Sequence, residues 1–163
     1  MDRANELAKD MYNSVFGNPW HGLSVQKILE DITEGQAFSE PVSNAHNICE
    51  IVLHLWAWTE EIISRLEGNV PAEPSVGDWP NAEIYEEEGW VQIKNIYFIA
   101  VEKLIEVIKN FPEKKLDELV GNMRDAPLGT GISFESMVMG LIQHNAYHAG
   151  QIAILKKSLQ KYK

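Results

Sequence analysis

Apolar residues recur every three to four positions through nearly the whole chain, the interval of one face of a helix, whereas the two-residue alternation of a half-buried strand is missing. The pattern predicts an all-α fold of four or five helices. A first helix over about residues 3–16 turns Leu7, Ala8, Met11 and Val15 inward and stops at Gly17-Asn18-Pro19. A shorter piece over 24–32, capped by Ser24 and burying Ile28, Leu29 and Ile32, is either a short extra helix or a kinked continuation of the first. A long helix over 44–67 enters through Pro41-Val42-Ser43, with Ser43 as its cap, and closes at Gly68. The stretch 69–79 holds Pro71, Pro74 and Gly77 and reads as a loop. Pro80 then opens a helix to about residue 110, with a core-facing seam of Trp90, Tyr97, Val101, Leu104, Ile108 and Phe111. After a looser connection through Gly121, Pro127, Gly129 and Gly131, Ser133 caps a last helix over 133–160.

Helices of roughly 24–30 residues measure about 36–45 Å. Such lengths suit a four-helix bundle with long crossover connections and a short extra or kinked N-terminal helix. No repeat, low-complexity tract or shift of composition divides residues 1–163, so a single domain is expected.

Two of the apolar patterns hold imidazoles. The inward stripe of the last helix reads Met137, Leu141, His144, His148, Ile152 and Leu155. A four-residue spacing turns both rings to one side, about 40° apart in azimuth and about 6 Å in rise. His54 lies in Ile51-Val52-Leu53-His54-Leu55-Trp56-Ala57-Trp58, again among residues that should face a core. A pair of histidines alone is weak evidence, and a lone buried imidazole is commonly just hydrogen-bonded. Three from two helices leave several ring nitrogens needing partners in an apolar interior, and a shared cation removes that difficulty. Neutral imidazoles favour Zn, Ni or Fe over Mg or Ca, which prefer oxygen. Three protein ligands leave a coordination position for substrate, as in a catalytic zinc site rather than a closed structural one. An ion so held lowers the pKa of water or keeps a thiol as thiolate.

Other residues are candidates to line a pocket or support the ligands. His46, eight residues before His54 on the same expected helix, can face the mouth of the site. His21, at the break between the first two helical pieces, either lines a pocket, supplies a fourth ligand or sits in a turn. Gln151 shares a face with His144 and can orient a ligand or substrate. Trp58, with Trp56, Trp79 and Trp90, either roofs a pocket or belongs to the core. Glu50 and Glu61 lie one and two turns from His54 and can support a ligand or move a proton, or simply flank it in solvent. No acid stands out as a general base, and no catalytic residue is assigned.

Composition narrows the partners. A formal charge of −10, from 24 acids against 14 bases, repels phosphate backbones and anionic lipid surfaces, so neither nucleic acid nor membrane is expected as a partner. The run Glu86-Glu87-Glu88 reads as the solvated start of a helix, where acids complement the positive end of the dipole. No apolar run approaches the length of a membrane span, and the first residues lead into no signal core, so a soluble, unprocessed protein is expected. Cys49 is the only cysteine, which rules out an internal disulfide, suits a reducing cytoplasm and reads as a small packing residue.

The chain resembles the DinB/YfiT-like superfamily of metal-dependent helical-bundle enzymes through most of its length. The likeness rests on Trp20-His21-Gly22, on Ala45-His46-Asn47-Ile48 leading to Leu53-His54-Leu55-Trp56-Ala57-Trp58, and on Gly77-Asp78-Trp79-Pro80. The most specific segment is Gln143-His144-Asn145-Ala146-Tyr147-His148-Ala149-Gly150-Gln151. In that family one histidine of the second long helix and two of the last form a metal triad, so the resemblance implies His54, His144 and His148 as ligands. It implies a four-helix bundle, non-sequential in helix order in many members, and frequent homodimers. Some relatives are similar to S-transferases that use low-molecular-weight bacterial thiols, or to a mycothiol-dependent isomerase.

The expectation is therefore a cytoplasmic metal-dependent enzyme, S-transferase-like or hydrolase-like, that turns a thiol or water on a small electrophilic substrate. The alternatives are a noncatalytic metal-binding or stress-associated bundle acting through partner binding, and a metal-free bundle with ordinary core histidines.

Overall fold

In the computed structural model residues 2–160 are described, the side chains of 86–88 excepted. The side chains of the acidic run Glu86-Glu87-Glu88 thus lie outside the described residues. Six α-helices form the described chain: α1 (Arg3–Val15), α2 (Val25–Leu29), α3 (Glu34–Ala37), α4 (Ile48–Leu66), α5 (Gly89–Asn110) and α6 (Phe134–Gln160). Among the described residues the only β pairing is an isolated bridge between Leu119 and Ser133, so the fold is all-α as the periodicity requires.

The helix starts follow local chemistry. Asp2 caps α1 by accepting the Asn5 N–H at 2.9 Å, and Ser133 caps α6 by accepting the Ser136 N–H at 3.1 Å. The expected start of α4 is wrong by four residues. Asn44 takes a left-handed backbone with φ 62, which no helix tolerates, and the chain enters α4 only after Asn47. Asn47 Oδ1 accepts the Glu50 N–H at 2.9 Å while Glu50 Oε2 accepts the Asn47 N–H at 3.0 Å, a reciprocal capping box. Ser43 is therefore not the cap, and His46 precedes the helix instead of riding on it. At the other end Gly68, with φ 96, donates to Arg65 O at 3.0 Å and Asn69 donates to Ser64 O at 3.1 Å, the paired closure of a left-handed helix stop.

The piece after Ser24, expected as either a short extra helix or a kinked continuation of α1, is a separate short helix, because residues 16–24 form an irregular link. One further expectation gives way. The helix expected from Pro80 is broken: 82–88 form 3-10 turns, and α5 begins at Gly89 with φ 77. The Trp90 N–H at this start is taken by Glu34 Oε2 at 3.1 Å, from α3.

α5 packs on α1 and α4, and α6 packs on the same two helices. Their inner faces bury Met11, Leu53, Ile93, Val101, Leu104 and Ile152, each worth about 1.5–3 kcal/mol against exposure. Asn145 of α6, fully buried, accepts the Tyr97 hydroxyl at 3.3 Å and donates to Met11 Sδ at 3.5 Å, tying three helices together. Burial pushes the Tyr97 phenol pKa up, so this hydroxyl keeps its proton.

Candidate metal centre

α4 and α6 pack against each other, and α4, buried on nearly every side, carries His54 among its buried residues. There His54 meets His144 and His148. His54 Nε2 lies 3.0 Å from His144 Nε2, which lies 3.0 Å from His148 Nε2, and the three potential ligand atoms all fall within 4.8 Å of one another. His54 and His148 are buried and His144 half-buried.

The outer nitrogens decide what the inner ones can do. His54 Nδ1 donates to the Asp78 carbonyl at 2.6 Å, and His148 Nδ1 donates to Gln151 Oε1 at 2.6 Å. Both partners are acceptors, so each Nδ1 holds the ring's proton and each Nε2 presents a lone pair to the centre. His144 Nε2 faces both lone pairs, and a single N–H there can satisfy only one well. A proton does not resolve the crowding. Burial, with His148 and His54 alongside, pushes the His144 pKa down to about 3, and burial also lowers those of His54 and His148. Converging neutral lone pairs in a partly dry site match a cation, and a set made only of imidazole suits a divalent transition metal.

The loop between α4 and α5 holds His54 from behind. Trp79 is sandwiched between two imidazoles, 3.9 Å from the His54 ring at 8° and 3.6 Å from the His46 ring at 5°. Asp78 contributes its carbonyl to His54, and its Oδ1 accepts Trp58 Nε1–H at 2.6 Å while lying 3.3 Å from His54 Nδ1.

Two cavities border the triad. One of about 600 Å³ is lined by His54, His144, Trp58, Asp78 and apolar residues of α6 and the 126–132 segment. The other, of about 510 Å³, is lined by His144, His148, Gln151, His46, Trp79, Tyr147 and apolar neighbours.

The remaining candidates scatter. Trp58 lines the larger cavity, and Gln151 Oε1 lies 2.6 Å from His148 Nδ1. His46 lies on the edge of the smaller cavity, reaching it through the Trp79 stack and not along a helix face. Glu50 commits its Oε2 to the Asn47 N–H and to His46 Nδ1 at 3.1 Å, so it shapes the start of α4. His21 is exposed between α1 and α2 and lines neither cavity. Glu61 pairs with Arg65, Trp56 stacks edge-on with Tyr85, and Trp90 is a core residue donating to Ile32 O at 2.7 Å. Sequence reasoning missed Asp78, whose only signal was its place in Gly77-Asp78-Trp79-Pro80. It also missed Asn145, visible only as a polar residue one step from the histidine face.

An all-helical protein with three inward histidines at the α4–α6 seam is a candidate metal-binding protein. The family model of the DinB superfamily matches residues 24–152, a span that takes in all three histidines, and the chain belongs to that superfamily. Neither the curated proteins nor the solved structures give a match.

Proposed function

We propose that the protein is a metal-dependent enzyme in which His54, His144 and His148 hold a divalent transition metal, Zn, Ni or Fe. The observation that carries this reading is the convergence of three Nε2 atoms, two of them with tautomers set by the Asp78 carbonyl and Gln151 Oε1. A metal held there acts as a Lewis acid that lowers the pKa of a thiol or water reaching it. The chain's own residues supply the remainder: Asp78 and Gln151 fix ring orientation, Trp79 and His46 wall the site, and apolar side chains of the two cavities exclude water from a small electrophilic substrate. The reaction is S-transferase-like or hydrolase-like. The packing of α5 and α6 on both α1 and α4 supports reading residues 1–163 as a single four-helix bundle with long crossover connections. No helix among the described residues is long and apolar enough to cross a membrane, and we place the protein in the cytoplasm as a homodimer, as its family resemblance implies.

Elemental analysis of protein prepared without added metal, set beside a His144→Ala/His148→Ala variant, tests the site. Metal bound by the wild type and lost from the variant is expected; equal content in both overturns it. A screen of thiols against electrophiles, run with native and chelated protein, then tests the activity, which chelation should abolish.

A further inference from the structure

A third cavity, of about 570 Å³, lies between the end of α1, the link that follows it, α2 and α5, and shares no lining residue with the two that border the triad. Its apolar wall is made by Phe16, Leu23, Leu29 and Phe98, with the Phe16 and Phe98 rings 5.6 Å apart. One water occupies about 30 Å³, so a volume of this size admits an organic molecule.

Two polar groups of the lining lack acceptors. Lys94 stands one turn beyond Trp90 on α5, with Nζ 5.3 Å from the Trp90 ring. Among the described residues only Lys94 and Lys156 are lysines that escape full exposure. Lys156 donates to Ile28 O at 2.9 Å and pairs with Asp31. The Lys94 ammonium meets the Trp90 ring and no carboxylate or carbonyl of the described residues. Burial lowers its pKa, a shift that a neighbouring anion reverses. Ser24 is the second group. It is 3% exposed, and its hydroxyl neither caps α2 nor bonds to any other described residue.

The remaining charges of the lining, Lys27 and Glu30, pair with each other, so Lys94 is the unbalanced one. The chain as a whole carries −10. Salt screens exposed charges beyond about 8 Å, which leaves the local cation to decide what enters. A phosphate ester with two negative charges calls for several cations. One ammonium and one hydroxyl above an apolar wall match a single carboxylate on a hydrocarbon body.

We propose that this cavity is a binding site for a small apolar carboxylate, whose acid group draws on Lys94 Nζ and the Ser24 hydroxyl while its body covers Phe16, Leu29 and Phe98. The site is separate from the histidine cluster and stands or falls without it.

Full-length chelated protein, titrated with 3-phenylpropanoate and followed by amide NMR and calorimetry, provides the test. Binding at about 1 mM or tighter is expected, with shifts centred on Ser24, Lys94 and Phe98, and the neutral 3-phenylpropanol should bind at least about tenfold more weakly. Lys94→Met keeps an unbranched stem but no charge, and should cost the acid about tenfold while leaving the alcohol within about twofold. Lys94→Arg should restore the acid to within about threefold of wild type. Carboxylates also bind metals, so the His144→Ala/His148→Ala variant is the control, and it should bind the acid as wild type does. Equal affinity for acid and alcohol, indifference to Lys94→Met, or loss of binding in the histidine variant overturns the proposal and leaves the metal reading to its own test. Acid binding that disappears as the protein self-associates assigns the cavity to a second copy of the chain and overturns it as well.

Discussion

α4 carries two buried polar nodes, and they are built on opposite logic. Three turns beyond His54, Arg65 is almost wholly buried, yet each of its guanidinium nitrogens has an acceptor: Nε donates to Glu61 Oε1 at 2.8 Å, and its terminal nitrogens donate to Leu128 O at 2.7 Å and Ala72 O at 2.9 Å. Glu61 Oε1 also accepts the Ala72 N–H at 2.9 Å. Charge cancels and donors meet acceptors, so the node is closed and its work is to pin two loops to the helix. The histidine node satisfies the outer nitrogens of His54 and His148 and turns the inner nitrogens of all three rings on each other. Buried polar groups that complete one another mark structure; buried groups that share a single unmet need mark a ligand.

The largest difference between the nodes should appear on breaking the closed one. Arg65→Met leaves Glu61 buried without a counter-charge and both loop carbonyls without donors, so urea denaturation should show a loss of about 3–5 kcal/mol. Metal content per folded molecule should stay at the wild-type level. A variant as stable as wild type would mean that the pair contributes nothing net.

His144→Ala should give the mirror image. Removing the ring that faces both lone pairs should weaken divalent metal binding by at least about 100-fold, measured by competition with a chromophoric chelator. The stability of the chelated protein should fall by less than about 1 kcal/mol, because a half-buried ring leaves and two lone pairs lose a crowding neighbour. A fall as large as that of Arg65→Met would make the cluster a structural node like the other.

The two nodes were also unequally legible in the sequence. The apolar stripes of α4 and α6 displayed His54, His144 and His148 because a helix interval of 3.6 residues projects directly onto a face. The Arg65–Glu61 pair sat four residues apart on that same helix, but its loop partners Ala72 and Leu128 offer only backbone atoms, which no pattern of side chains records. Asp78 was hidden for the same reason: its carbonyl, not its residue type, grips His54. Helix entries failed where backbone conformation overrode pattern, at Asn44 and Gly89, both with positive φ. Thr33-Glu34-Gly35-Gln36 did carry the signature of a capped start, and α3 was overlooked because four residues show no periodicity.

Smaller effects should sharpen the comparison from within the histidine node. Gln151→Leu removes the acceptor that holds the His148 proton on Nδ1, so Nε2 no longer presents its lone pair by default; metal affinity should drop about 10–100-fold with every ligand still present. Affinity equal to wild type would show that the tautomer is set elsewhere.

Asp78→Asn should matter least for the metal. The carbonyl that takes the His54 proton is untouched, and the amide oxygen of asparagine can still accept Trp58 Nε1–H, so only the carboxylate's charge, 3.3 Å from His54 Nδ1, is lost. Metal affinity should change by less than about threefold, in contrast to Gln151→Leu, where the atom gripping the ring belongs to the deleted side chain. The contrast divides backbone support from side-chain support at two ligands of one site. A loss for Asp78→Asn as large as that for Gln151→Leu would assign the hold on His54 to the carboxylate, with the Asp78 carbonyl reduced to a bystander.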